Sequence, residues 1–281
     1  MPSSIKHVVV TGAAGKAGRA AVAELLAHGY QVTGADTAPA PADLGTAFLR
    51  ADLTDYGQTV DVLAGADAVV HLANIPAPGI YPPAHTFTAN TAMNAHVFLA
   101  AAQLKLQRVV WASSETTLGL SFTPETPPRY APVDEAHYPY PESTYALSKV
   151  VAETMAEQIS RWSGIPFAGL RFSNILNDDD YTRVPSYQDD PRARMWNLWG
   201  YIDVRDAAAS CRNALEAELT GSENFIIAND DSIMERPSLE LLREVFGDVE
   251  VRGEVGEHDT LLSNAKARRM LGFAPQHGWR R

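Results

Sequence analysis

The feature that most constrains this chain is a β-branched run broken by glycine. Ile5-Lys6-His7-Val8-Val9-Val10 reads as a short buried strand, and Thr11-Gly12 ends its apolar pattern. From Lys16 the apolar period lengthens, with Ala17, Ala20, Ala21, Leu25 and Leu26 on one side until His28-Gly29 supplies a stop. The alternation then continues. Residues 30–35 read as a strand ending at Asp36, Ala47–Arg50 as a shorter strand leading to Asp52-Leu53, and Tyr56–Leu63 as a helix. A strand at 68–72, a helix at 87–104, a strand at 108–112, a helix at 143–163 and a strand at Phe167–Phe172 follow. Parallel strands need crossovers, and crossovers cover a sheet on both faces, so the expected class is α/β with a doubly wound parallel sheet.

Between 113 and 143 the regularity loosens into a stretch with Pro124, Pro127, Pro128, Pro132, Pro139 and Pro141, read as an ordered loop beside a site, with a disordered linker as the alternative. The last third holds acidic clusters (Asp178-Asp179-Asp180, Asp189-Asp190), a strand at 225–227 and a helix at Ser238–Phe246, and no internal repeat. The 281 residues allow one large or two modest domains, divided here into 1–172 and 173–281, with segments of the second part returning to the first core. Thirty-four acidic against 23 basic residues give −11, which repels phosphate backbones and anionic lipid, so neither nucleic acid nor membrane is expected as a partner. Cys211 alone cannot close an internal disulfide, and no long apolar run or cationic leader stands out, which points to the cytoplasm.

The turn Gly12-Ala13-Ala14-Gly15-Lys16-Ala17-Gly18 has small residues where backbone must come close to something else. Gly12 permits the tight turn, Gly15 lets a pyrophosphate approach the helix N-terminus, and Gly18 lets helix and strand pack closely. The first interval is three residues, unlike G-x-G-x-x-G. Asp36 at the second strand's end suits both ribose hydroxyls of an adenosine and repels a 2′-phosphate, which favours NAD over NADP; a turn or cap aspartate is the rival reading. Asp52-Leu53 could frame the adenine, or Asp52 could cap the helix at Tyr56.

Tyr145-Ala146-Leu147-Ser148-Lys149 opens a helix, and a four-residue spacing puts phenol and ammonium on one face. A fixed cation nearby is expected to lower the tyrosine's pKa and fit it for acid/base work. Ser113-Ser114 ends a strand where open α/β sheets bind ligands. Together with His71-Leu72-Ala73-Asn74, Asn90, residues 170–174, 201–206 and 263–275, these motifs make nearly the whole chain resemble the extended short-chain dehydrogenase/reductases, the group of NAD-dependent sugar epimerases and dehydratases.

That resemblance implies a Rossmann-type NAD-binding part with a small C-terminal substrate-binding part. It implies Tyr145 as catalytic acid/base, Lys149 on the nicotinamide ribose and Ser114 orienting the substrate oxygen. Gly12, Ala14, Gly15, Lys16, Ala17, Gly18, Asp36, Asp52, Leu53, Leu72, Ala73, Asn74 and Asn90 are expected around the cofactor, though Asn90 could equally bond only locally within its helix. Ser114, Glu115, Asn174 and Arg194 are expected to face the substrate.

Departures from the pattern refine this. Ser114-Glu115-Thr116-Thr117-Leu118-Gly119 lacks the usual tyrosine before the glycine and one of the paired acids of dehydratases, which makes dehydration a minor reading. The stretch from Asn174 to Tyr201 is short for a nucleotide-sugar enzyme. Arg194-Met195 followed by Trp196 and Trp199 resembles uronate dehydrogenases, and Arg183, Arg192 and Arg194 could grip a carboxylate or pair with the loop aspartates. The eight histidines lack zinc-motif spacing, so no metal is expected; His71 reads as a core residue, and Cys211 has no base beside it. The expected function is an NAD-dependent oxidoreductase acting on a sugar or sugar-acid hydroxyl. A sugar epimerase and a non-catalytic NAD-binding regulator are the alternatives. Helices 87–104 and 143–163 would pair in a homodimer, or their apolar faces serve only the sheet.

Overall fold

The computed structural model describes residues 5–137 and 140–280, so Pro139 of the proline-rich stretch lies outside the described residues. In chain order the strands are β1 (His7–Thr11), β2 (Gln31–Asp36), β3 (Ala47–Arg50), β4 (Ala68–His71), β5 (Arg108–Ser114), β6 (Tyr130–Ala131), β7 (Phe167–Phe172), β8 (Ile175–Leu176), β9 (Ile202–Asp203), β10 (Ser222–Ile227) and β11 (Glu250–Val251). Seven of them form one parallel sheet in the order β10-β7-β5-β4-β1-β2-β3. The chain starts at β1, winds outward to β3, then returns to β4 on the other side of β1 and winds outward again. That reversal opens a crevice at the carboxyl ends of β1 and β4, the place where such sheets bind ligands.

The helices are α1 (Lys16–Ala27), α2 (Tyr56–Leu63), α3 (Pro83–Leu104), α4 (Thr144–Ser163), α5 (Asp178–Tyr181), α6 (Val204–Glu216), α7 (Ser238–Phe246) and α8 (Ala265–Leu271). Strand period two sorts β1 between two cores: Val8 and Val10 pack with Ala21, Leu25 and Cys211 of α1 and α6, while Val9 packs with Leu63, Phe98 and Ala156 of α2, α3 and α4. Phe98 meets Trp111 and Phe167 edge-on at 5.3 and 5.1 Å, each contact worth about 0.5–1.5 kcal/mol beyond area burial. A third core, with Leu118, Trp199, Tyr201 and Leu242, holds the C-terminal part together. Leu118, which stands where a tyrosine was expected, is fully buried there.

Several boundaries differ from the sequence reading. α3 begins at Pro83 because proline fits the first helical turn, where its missing N–H is not needed. β5 runs on to Ser114, since Ser113 and Ser114 pair with Arg171 and Phe172 of β7. The C-terminal part sends β10 back to the sheet edge and α6 onto α1. The proline-rich stretch is pinned where described: Val133 N–H donates to Leu261 O at 2.8 Å, and β6 pairs with β11. Among the described residues no helix is long and apolar enough to cross a membrane.

Candidate active site

One cavity of about 780 Å³ runs from the glycine turn, past the carboxyl ends of β1, β4 and β5, to Trp196. At its first end Gly12 has φ +71°, and a Cβ there would sit 2.7 Å from Ala73 N, so only glycine lets this turn lie against the end of β4. A Cβ on Gly18 would fall 2.0 Å from Gly12 O, which is why α1 packs so closely on the turn. Gly15 caps α1 without a side-chain acceptor, leaving the helix N–H groups toward the cavity for an anion. Gly12, Gly15, Lys16, Ala17 and Gly18 all line it. Ala14 does not; its N–H donates to Asp36 Oδ2 at 3.1 Å, which fixes that carboxylate at the cavity edge together with Ala38 N–H on Oδ1 at 3.0 Å. These features fit a dinucleotide: glycines at 12, 15 and 18 where backbone approaches closely, a helix N-terminus without a side-chain cap, and a carboxylate on the same cavity wall.

Three expected cofactor residues behave differently. Asp52 folds onto Thr54, accepting its N–H at 2.9 Å, and Asp55 caps α2 through Gln58 N–H at 2.9 Å; Leu53, not Asp52, lines the cavity. Asn90 bonds neither ligand space nor its own helix. Its Oδ1 accepts Ile75 N–H at 2.8 Å and its Nδ2 donates to Ile75 O at 3.1 Å, so it holds the loop after Asn74, whose residues Ile75 to Pro78 form one wall. Lys16 lines the cavity with its ammonium paired to Asp180 at 2.5 Å. Leu72, Ala73 and Asn74 lie on the wall as expected. His71 lies behind it, bonded to Thr11 Oγ1 at 2.7 Å and Asn94 Oδ1 at 3.0 Å, and burial pushes its pKa down to about 3.

Ser114, Tyr145 and Lys149 share the middle of the cavity. Ser114 ends β5 and caps the turn at Glu115–Leu118; its Oγ accepts Thr116 N–H at 3.2 Å and Thr116 Oγ1 at 2.9 Å, which leaves its own proton to donate. Ser143 caps α4 through Ala146 N–H at 3.1 Å and so sets Tyr145 in the first turn. Lys149, one turn on, stands 5.6 Å from the centroid of the Tyr145 ring, but its ammonium donates to Asn74 Oδ1 at 2.6 Å and Ala112 O at 2.7 Å.

The expected electrostatics are therefore corrected. Burial pushes the Tyr145 phenol up to about 12, the Ser114 hydrogen bond works against this, and nearby Glu115 adds to it. Lys149 is itself brought down to about 7 by burial, with Glu153 opposing. The Lys149 ammonium, directed at Asn74 and the Ala112 backbone, is not among the groups that lower the phenol, and burial sets the direction.

Behind the site stands a pair that sequence reasoning missed. Glu153 takes Arg171 Nε at 2.8 Å and Nη2 at 2.9 Å and the Ser113 hydroxyl at 2.7 Å, all buried. The available signal was the spacing Tyr145, Lys149, Glu153, which repeats i to i+4 along one face.

At the far end Glu115, Ser173, Asn174 and Trp196 line the cavity. Arg194 is not on the wall; its Nη1 donates to Asn174 Oδ1 at 2.9 Å and its Nη2 to Gly200 O at 3.1 Å, while its guanidinium stacks over Trp196 at 5.3 Å. It thus holds Asn174 and the loop from behind the wall. The loop aspartates do not occupy it either: Asp180 pairs with Lys16, and Asp178 with Arg205 at 3.2 Å. Cys211 is buried in α6, with its thiol pushed up to about 12 by burial, unlike a nucleophile.

The sequence profile of the NAD dependent epimerase/dehydratase family matches residues 8–189. Among curated proteins the chain is 29% identical over 234 residues to an L-arabinose 1-dehydrogenase (NAD(P)(+)) of Haloferax volcanii, spanning 80% of this chain and 89% of that protein. It is 25% identical, over 317 aligned positions, to a UDP-glucose 4-epimerase of Corynebacterium glutamicum, spanning 96% and 91%. Among solved structures a mutated uronate dehydrogenase superposes with a TM-score of 0.70 at 22% identity, covering 98% of this chain and 83% of that one, a likeness of fold alone.

Proposed function

The chain belongs to the NAD dependent epimerase/dehydratase family, an NAD-dependent enzyme group acting on sugars, and from that premise we propose that it oxidises a hydroxyl of a free sugar, with Tyr145 as the acid/base. One observation carries this reading: Tyr145 and Ser114 lie on the wall of the same cavity as the glycine turn and Asp36. Gly12, Gly15, Gly18 and the N-terminus of α1 would hold the pyrophosphate, Asp36 the adenosine ribose, and Lys149 with Asn74 the far ribose. Bound oxidised NAD supplies a hydride acceptor and a positively charged ring. As the substrate's C–H hydride leaves, its O–H proton passes to Tyr145 Oη, so the phenol must first be ionised. The chain alone keeps it protonated; the Ser114 hydroxyl donates to the anion, and added positive charge in the cavity favours it further. Ser114 also orients the substrate oxygen.

An epimerase is the second reading, favoured by the likeness to the UDP-glucose 4-epimerase over nearly the whole chain. It uses the same three residues but returns the hydride, so no NADH accumulates. NADH absorbance over a panel of free aldoses, uronates and UDP-sugars separates the two: growth with a free sugar supports the dehydrogenase, and isomerised product without NADH supports the epimerase. Tyr145→Phe is expected to lower turnover by roughly 10²–10⁴-fold while leaving NAD affinity within a few fold; unchanged turnover removes Tyr145 from the mechanism. A homodimer through α3 and α4, which pack together and leave Leu99, Leu147 and Trp162 exposed, completes the reading and is checked by light scattering.

A further inference from the structure

We propose that Trp196 is the platform on which the substrate's sugar ring lies, its indole meeting a C–H face of the ring while Ser114 and Tyr145 take hydroxyls at the rim. The inference rests on the reading above that Ser114 and Tyr145 face a sugar. Trp196 is partly buried, lines the cavity and sits in the short turn Met195–Asn197. Residues on either side of it are tethered to the two groups that flank Ser114: Arg194 Nη1 donates to Asn174 Oδ1 at 2.9 Å, and Asn197 Nδ2 to Glu115 Oε1 at 3.3 Å. Glu115 follows Ser114 in the chain, and Asn174 follows β7, whose Phe172 pairs with Ser114. A third bond, from Phe122 N–H to Trp196 O at 2.9 Å, fixes the backbone of Trp196 itself. The indole is thus carried to the end of the cavity where β5 and β7 finish.

Two tryptophans stand three residues apart here, and the backbone gives them different tasks. Leu198 and Trp199 both take left-handed conformations, at φ +54° and +57°, which bulky side chains rarely adopt and which persist where the surroundings over-determine them. Trp199 is fully buried in the third core: its Nε1–H donates to Pro191 O at 2.7 Å, and its ring meets Phe246 at 6.0 Å. It anchors the segment. Trp196 stays on the cavity wall, with the Arg194 guanidinium 5.3 Å from its ring centroid. Arg194 does not line the cavity and is itself fixed by Asn174 and Gly200, so it holds one ring face from behind the wall and leaves the opposite face for a ligand.

A flat indole suits a sugar ring for a geometric reason. The hydroxyls of such a ring project around its rim while its C–H bonds line its faces, so one molecule offers both an apolar surface and a circle of hydrogen-bonding groups. The cavity end offers the complement: an aromatic plane in Trp196, hydroxyls in Ser114 and Tyr145, and an amide in Asn174. Oxidation at one carbon leaves the stacked face apolar, so the contact is made equally in ground state and transition state. It should set affinity and leave the chemical step alone.

The test uses the full chain with NAD and, as probes, L-arabinose, galactose, glucose, galacturonate and UDP-glucose. Binding is measured by calorimetry on the NAD complex of Tyr145→Phe, which reads affinity without turnover, and tryptophan emission is followed in parallel titrations. We expect at least one free sugar to bind and to change the emission, and the added substitution Trp196→Phe to remove most of that change. Trp196→Leu should weaken the sugar on the order of tenfold and Trp196→Phe less, with NAD affinity kept within about twofold. With Tyr145 restored, Trp196→Leu should raise KM by a similar factor and leave kcat within about twofold. If the leucine variant does not fold, the affinity and emission of the phenylalanine variant decide. Sugar affinity unchanged by Trp196→Leu overturns the proposal, as does an undiminished emission change in Trp196→Phe, or a loss of NAD affinity as large as the loss for sugar. So does the absence of free-sugar binding, including the case in which UDP-glucose alone binds and depends on Trp196. Absence of NADH from every sugar, with Trp196-dependent sugar binding intact, overturns only the dehydrogenase reading.

Discussion

Replacing Glu153 with glutamine probes how the site is held from behind. Its carboxylate takes two guanidinium nitrogens of Arg171 at 2.8 and 2.9 Å and the Ser113 hydroxyl at 2.7 Å, and both charged side chains are 3% exposed. Glutamine keeps the volume and one acceptor but removes the charge, so the buried Arg171 loses its bidentate carboxylate and keeps Glu135 O on Nη1 at 3.3 Å. Breaking a buried pair from one side costs about 3–5 kcal/mol, because the desolvation of the surviving ion is no longer offset. At about 2–4 °C per kcal/mol for a chain of this size, Tm should fall on the order of 10 °C.

A second effect follows at the site. Glu153 is the group that holds the Lys149 pKa up against burial, so its loss lowers that pKa below about 7, and the charged form of Lys149 retreats to lower pH. The assay is thermal unfolding by circular dichroism of wild type, Glu153→Gln, and the pair Glu153→Met with Arg171→Met. The double variant should recover most of the loss, since apolar side chains of similar size carry no desolvation cost. A Tm drop under about 2 °C for Glu153→Gln, or a double variant as unstable as the summed single changes, would refute the reasoning.

Two further outcomes are expected. Asp36→Ala should lower the ratio of kcat/KM for NAD over NADP by about tenfold or more, because the carboxylate that repels a 2′-phosphate is gone; an unchanged ratio removes Asp36 from the site. His71 is buried neutral, with its folded pKa depressed from 6.5 to about 3, so the unfolded chain binds a proton that the native one refuses. Its contribution is fully present above about 6.5 and is lost as pH falls toward about 3, amounting to roughly 4–5 kcal/mol. Urea unfolding across that window should show a shallower pH slope for His71→Gln than for wild type, and equal slopes contradict the assignment.

The parallel α/β order was legible in the chain because strand and helix periods are local, and because glycine is required where backbone meets backbone, as at Gly12 and Gly18. The alignment of Tyr145 with Lys149 was legible for the same reason: four residues make about one helical turn. Partners far apart in the chain were not. Lys149 is held by Asn74, Arg194 by Asn174, Asn90 by the backbone of Ile75, and Asp55 took the cap assigned to Asp52. Each of those pairings depends on which loop ends face one another across the crevice, and residue spacing carries no record of that.

The sign of the Tyr145 shift is the sharpest case. Spacing places a cation one turn away from the phenol, but whether that cation acidifies it depends on burial and on where the ammonium finds acceptors, and both arise only when the chain is packed. Sequence alone thus determined the parallel α/β class, the glycine turn and the alignment of Tyr145 with Lys149. The tertiary structure decided which residues face the cavity, which hold those that do, and that a buried carboxyl at Glu115 stands beside Ser114.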